Sequence, residues 1–242
     1  MLNKTKMKPI HFILILFIPW ISLSQILNGN ELLDKANEYH DPQNQWNTFN
    51  GSFQVTMETP DKSDRKTNIT IDLPNEYFYS KAIRDSIMIE FSLKREECEV
   101  LFNGADNYSE EIAKEHRLSC ERAHMYKDYY TYLYGLPMKL KDPGTIIHEE
   151  VELRNAFGKD YLVLKVSYTE DVGEDTWYFY FNSKTYAMEV YQFFHDESKN
   201  DGEYIMLSDE EIVQGIRMPK VRAWYMNKDD KYLGTDILKV NY

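Results

Sequence analysis

His116, Cys120 and His124 can all ligate a metal, and they stand four residues apart. They fall in a stretch rich in Glu, Ala, Arg and Lys that predicts a helix over 109–127, started by Ser109, Glu110 and Glu111. Residues four apart are neighbours on one helix stripe, and a His–Cys pair at that spacing can chelate zinc. Eight residues of helix nevertheless cover ~12 Å, too far for one ion to meet all three. The stripe reads first as a partly buried helix face, and no metal is assigned.

Carboxylates offer a second chemistry. Asp142, Asp171, Asp175, Glu203 and Asp236 lie in or beside expected loops. Paired carboxylates can hydrolyse a glycoside, one as acid and one as base or nucleophile. The chain has 40 acids, so loop carboxylates are expected by chance. No catalytic residue is assigned, and a carboxylate-using hydrolase stays an alternative. Clustering of Asp175, Glu203 and Asp236 in one polar cleft would favour it.

Other signatures fail. There is no Gly-x-Ser-x-Gly, no glycine-rich phosphate loop and no dinucleotide fingerprint. Asp196–Gly202 superficially resembles a calcium loop, but its glycine comes one place late and no bidentate Glu follows. Asn200-Asp201-Gly202 is hairpin chemistry. Asn68-Ile-Thr and Asn107-Tyr-Ser match the glycosylation acceptor, a frequent chance match. No cofactor is implied. Lys139 and Lys141 flank a two-proline segment, where they could steady a headgroup at a pocket mouth or simply be solvated.

The elements that must position these groups are mostly strands. Asn30 can cap a first helix carrying Leu32, Leu33, Ala36 and Tyr39, stopped by Asp41-Pro42. Phe53, Val55 and Met57 then alternate with polar residues, as do Ile69, Ile71 and Leu73. Further strands are predicted at 76–83, 86–93 and 97–102, and again at 129–134. After a loop over 135–144 come strands at 145–154, 160–169, 175–182, 185–195, 203–207, 211–217, 220–226 and 232–240. About ten to twelve antiparallel strands with a few helices predict a mainly β (α+β) fold, a large sheet that must curl into a half-barrel.

Composition narrows the class. Net charge is −12, which argues against nucleic-acid binding. Lys4, Lys6 and Lys8, an apolar run from Phe12 to Ile18, and small Ser22 and Ser24 predict a cleaved leader over 1–24 and one domain over 25–242. Export would leave a net charge of −15, place the protein in the periplasm or outside the cell, and expose Cys98 and Cys120 to oxidation. A bridge between them and two buried thiols are both open. No second segment is long and apolar enough to span a membrane.

The aromatic residues sit on both faces of the central strands. Trp177, Phe179 and Phe181 share one face, and Tyr178 and Tyr180 the other; Met188, Val190 and Phe194 alternate with Tyr191 and Phe193. One face can pack on helices, while the other lines a cavity or stays half exposed. A lined pocket and a plain core are both open.

Four stretches resemble an uncharacterised family of exported bacterial proteins. They are Tyr129-Tyr-Thr-Tyr-Leu-Tyr-Gly-Leu-Pro-Met-Lys-Leu-Lys-Asp-Pro-Gly144, Gly173-Glu-Asp-Thr-Trp-Tyr-Phe-Tyr180, Asp201-Gly-Glu-Tyr204 and Leu233-Gly-Thr-Asp236. Over roughly 27–240 the organisation is also similar to the periplasmic lipoprotein-carrier (LolA/LolB-like) fold, an open half-barrel lidded by helices. That resemblance implies a non-catalytic carrier of a hydrophobic ligand, a lipid or the acyl chains of a lipoprotein; the oligomeric state is open, with a monomer favoured. Trp177, Phe179, Phe181, Val190 and Phe194 are the expected wall, with the opposite face as the alternative. Leu136, Met138, Lys139 and Lys141 are the expected rim or lid. An envelope sensor that docks a protein partner is the other alternative.

Overall fold

A computed structural model describes residues 27–240. The leader expected over 1–24 lies outside the described residues. Helix α1, Gly29–His40, is capped by Asn28 rather than Asn30. Asn28 and Glu31 exchange side-chain-to-backbone hydrogen bonds across the first turn. Leu32, Leu33 and Ala36 bury the expected face.

Five strands follow in hairpin succession: β1 Asn50–Thr59, β2 Lys62–Asp72, β3 Tyr77–Arg84, β4 Ile87–Lys94 and β5 Glu97–Phe102. After the helices come β6 Thr145–Ala156, β7 Lys159–Tyr168, β8 Thr176–Asn182, β9 Met188–Phe194, β10 Glu203–Val213, β11 Ile216–Met226 and β12 Tyr232–Lys239. All twelve form one antiparallel sheet in the order β5-β4-β3-β2-β1-β12-β11-β10-β9-β8-β7-β6. The two hairpin runs join where β1 pairs β12, with Val55 opposite Leu238. The expected open, curled antiparallel sheet is therefore what forms.

This topology leaves β5 and β6 at opposite edges, so their connection must cross the sheet. Helices α2, Glu110–His116, and α3, Cys120–Gly135, make that crossing over the inner face. The helix expected over 109–127 is two helices. Arg117 takes a left-handed conformation (φ 54°), and Ser119 caps α3 through the Arg122 amide. Helix α3 then runs through 129–134, where a strand was predicted. The reason is tertiary. Tyr126, Tyr130 and Tyr134 recur every four residues and stack over Phe91, Phe78 and Phe53, with ring centroids 5.6, 6.4 and 4.8 Å apart. A bridge between Cys98 on β5 and Cys120 in the first turn of α3 ties the helix to the sheet edge.

One strand boundary also moves. Residues 203–213 are a single strand, and the turn lies at Gln214–Gly215, both with positive φ. β11 runs through Pro219, which lies beyond the stretch that pairs with β12, an edge-like position where proline is tolerated. Among the described residues, no helix is long and apolar enough to cross a membrane.

Candidate functional site

The inner faces of β2, β3 and β4 change character along their length. On β2 the inward series is Arg65, Thr67, Ile69 and Ile71; on β3 it is Phe78, Ser80, Ala82 and Arg84; on β4, Ile87, Ile89, Phe91 and Leu93. Ile69, Ile71, Phe78 and Leu93 are buried and fill the space at one end. At the other end Thr67 stands opposite Ala82, and Ala82 opposite Ile89. Ala82 is too short to reach the helix above it, while Thr67 faces Tyr130. A cleft of about 280 Å³ results, floored by Ile89 and Phe91 and roofed by Tyr126 and Tyr130.

Its rim is cationic. Arg65 and Arg84 enter from the strands, and Arg117 and Arg122 from the joint between α2 and α3. The Arg122 guanidinium lies 4.8 Å from the centroid of the Tyr126 ring. The Nε atoms of Arg65 and Arg84 are buried and have no hydrogen-bond partner. Among the described residues, no carboxylate forms an ion pair with any of the four arginines. His116 stacks on Phe102 at 4.7 Å beside this rim.

A second cleft, larger and more open at about 720 Å³, lies at the far end of α3. Trp177, Tyr132, Tyr168, Lys139, Asp142 and Asp175 line it. Tyr132 and Tyr168 share a hydrogen bond, and burial pushes the Tyr168 hydroxyl up to about 12. Lys139 pairs with Asp142. Asp175 accepts a hydrogen bond from His195 Nδ1 at 2.6 Å, which raises the pKa of that imidazole.

The third feature is a cleft lined by two carboxylates. Glu203 and Asp236 line one cleft of about 260 Å³ with Met57, Tyr129 and Trp224. Burial pushes both carboxyls up, and the cations of Arg222 and Arg65 oppose this at Asp236. Two of the three expected acids line this cleft; Asp175 does not, although the charge of Glu203 acts on its partner His195.

The expected wall is divided between the faces. Trp177, Phe179 and Phe181 belong to the inner cluster, where Phe179 and Phe181 are fully buried in the core. Val190 and Phe194 lie on the outer face with Tyr178 and Tyr180. The inner partners of Trp177 on β9 are Tyr191 and Phe193, because the β8–β9 register shifts between Tyr180 and Phe181. A one-residue slip exchanges the faces of a strand. Leu136 and Met138 are buried in the core, so this part of the expected lid is an anchor. Lys141 pairs with Asp34 at 2.5 Å, and Lys139 alone of the four borders a cleft.

The metal stripe dissolves. The helix breaks after His116, Cys120 is bridged, and His116 and His124 border different clefts. The arginine rim was not anticipated, although its signal was in the sequence. Arg65 is in phase with Ile69 and Ile71, and Arg84 with Phe78, both on the inward side.

The family described as "Family of unknown function (DUF6503)" matches residues 8–241. No curated protein matches the chain. Similar solved structures include a LolA superfamily protein from Nitrosomonas europaea, at 10% identity and a TM-score of 0.47, covering 88% of this chain and 92% of that one. Another is a DUF1329 family protein from Desulfovibrio piger, at 9% identity and a TM-score of 0.47, covering 87% and 91%.

Proposed function

The chain belongs to DUF6503, a family of unknown function, and we propose that this member is a non-catalytic binder of a hydrophobic ligand, the acyl chain of a lipid or lipoprotein, working in the periplasm. The observation that carries this reading is the apolar-floored cleft beneath the joint of α2 and α3. Its volume of about 280 Å³ falls just below the ~300–1,000 Å³ of typical ligand sites. It has room for a single chain. Each methylene taken from water contributes ~0.8 kcal/mol, so ten supply ~8 kcal/mol before the cost of association. Burial alone is enough for binding, and no reacting group is required.

Native mass spectrometry of the protein purified from its own envelope tests this. A co-purifying lipid is expected, and it should be lost in Ala82→Trp, which fills the cleft. Ligand-free wild-type protein that also fails to take up added lipid would sink the reading.

Glu203 and Asp236 support a second reading, a hydrolase. Two carboxyls raised by burial in one cleft fit an acid and a base or nucleophile. Turnover of a glycoside panel that disappears in Glu203→Gln would establish it; no turnover would remove it.

A further inference from the structure

We infer that the cleft selects an amphiphile with an anionic head, a carboxylate or phosphate held between Arg65 and Arg84, with its chain on Ile89 and Phe91. The inference rests on the binding role proposed above and names the class of ligand.

Charge placement is the first argument. The chain carries a net charge of −12, yet four arginines converge on one small cleft with Asp85 as the only acid among its lining residues. A neutral chain would gain nothing from such a rim. The second argument is unmet hydrogen bonding. A buried guanidinium nitrogen without a partner costs free energy, and this cleft has two, on Arg65 and on Arg84. An oxyanion between them would satisfy both. Arginine's planar fork suits the two oxygens of a carboxylate or phosphate. The third argument is polarity along the cleft. Arg65 lies two residues before Thr67 on β2 and Arg84 two after Ala82 on the antiparallel β3, so both stand at the same end, while Ile89 and Phe91 continue inward. Head and tail positions are therefore set by the sheet.

Titration calorimetry with twelve-carbon probes tests the inference. Dodecyl phosphate and dodecanoate should bind at least ten-fold more tightly than dodecyl maltoside, and rising salt should shrink that ratio. Arg84→Gln and Arg65→Gln should each bring the ratio towards one. Lys66→Gln, on the opposite face of β2, should keep it. Should Arg65→Gln fail to fold, Arg84→Gln carries the test, because Arg84 ends its strand at a hairpin. Inorganic phosphate alone should bind far more weakly than dodecyl phosphate. Equal affinity of inorganic phosphate would mean a free-anion site and overturn the inference. Equal affinity for charged and neutral heads would overturn it while leaving the hydrophobic-ligand reading intact. Failure of every probe would overturn both.

Discussion

Tyr126 on α3 packs over Phe91 on β4, with ring centroids 5.6 Å apart, and both rings line the cleft. Deeper along α3, Tyr130 roofs the inner end of the cleft over Phe78, and Tyr134 continues the row into solid core over Phe53. Tyr130 is buried, so Tyr130→Ala should cost ~3–4 kcal/mol, as large aromatic truncations do. Tyr129→Ala, at a half-exposed neighbour, should cost under ~1.5 kcal/mol. Urea denaturation compares them. Equal losses would mean that the four-residue stripe does not hold the helix down.

The Cys98–Cys120 bridge closes a loop with a sequence separation of 22. Reduction, or the double change Cys98→Ala with Cys120→Ala, should lower stability by ~3 kcal/mol through the freer unfolded chain. An unfolding midpoint that is the same with and without reductant would contradict this. Because the bridge anchors the first turn of α3 beside the cleft, the reduced protein should also bind acyl probes more weakly.

Arg222 is a fully buried cation. It donates to the Pro219 carbonyl at 2.7 Å, lies 4.0 Å from the Tyr134 ring centroid, and stands in register with buried Asp236. Arg222→Met would orphan that carbonyl and leave Asp236 less compensated, at a cost of ~3–5 kcal/mol. Arg222→Lys should recover only part, because an ammonium lacks the flat face that lies on Tyr134. A loss below 1 kcal/mol in the Met variant would show the buried charge to be dispensable.

His40 links α1 to two strands. Its Nε2 accepts from the Met188 amide at 2.9 Å, so its Nδ1 carries the proton donated to the Arg217 carbonyl at 2.7 Å. Burial lowers its pKa below the ordinary 6.5. The unfolded chain therefore binds the proton first as pH falls. The stability from neutral His40 is complete above pH 6.5 and is lost below it by up to ~1.4 kcal/mol per pH unit, until the folded pKa is reached. The raised carboxyls of Glu203 and Asp236 act in the opposite sense, since a folded state that holds protons more tightly gains stability in acid. The difference between wild type and His40→Gln isolates the histidine. It should narrow from pH 7 to pH 5; a constant difference would mean that His40 does not titrate on unfolding.

Much of the sheet was legible because one wet and one dry face impose alternation, as in Phe53, Val55 and Met57. Three features were not, each for a physical reason. The tyrosine run at 129–134 has strand-like composition locally, and only Phe78 and Phe53 beneath it make it helical. Val190 and Phe194 lie on the outer face because the β8–β9 register shifts, and such a shift cannot be seen in one strand alone. The arginine rim was in phase with the core, but an inward arginine at a strand end looks solvated until a helix covers it. That helix, α3, was expected to stop at 127.

Photo-crosslinking tests the central claim most directly. A twelve-carbon fatty acid with a diazirine near its tail should label the protein saturably at Ile89, Phe91, Tyr126 or Tyr130, as read by peptide mass spectrometry. Ala82→Trp should abolish the label. Saturable labelling confined to the Trp177 and Lys139 cleft, or labelling that never saturates, would contradict the account.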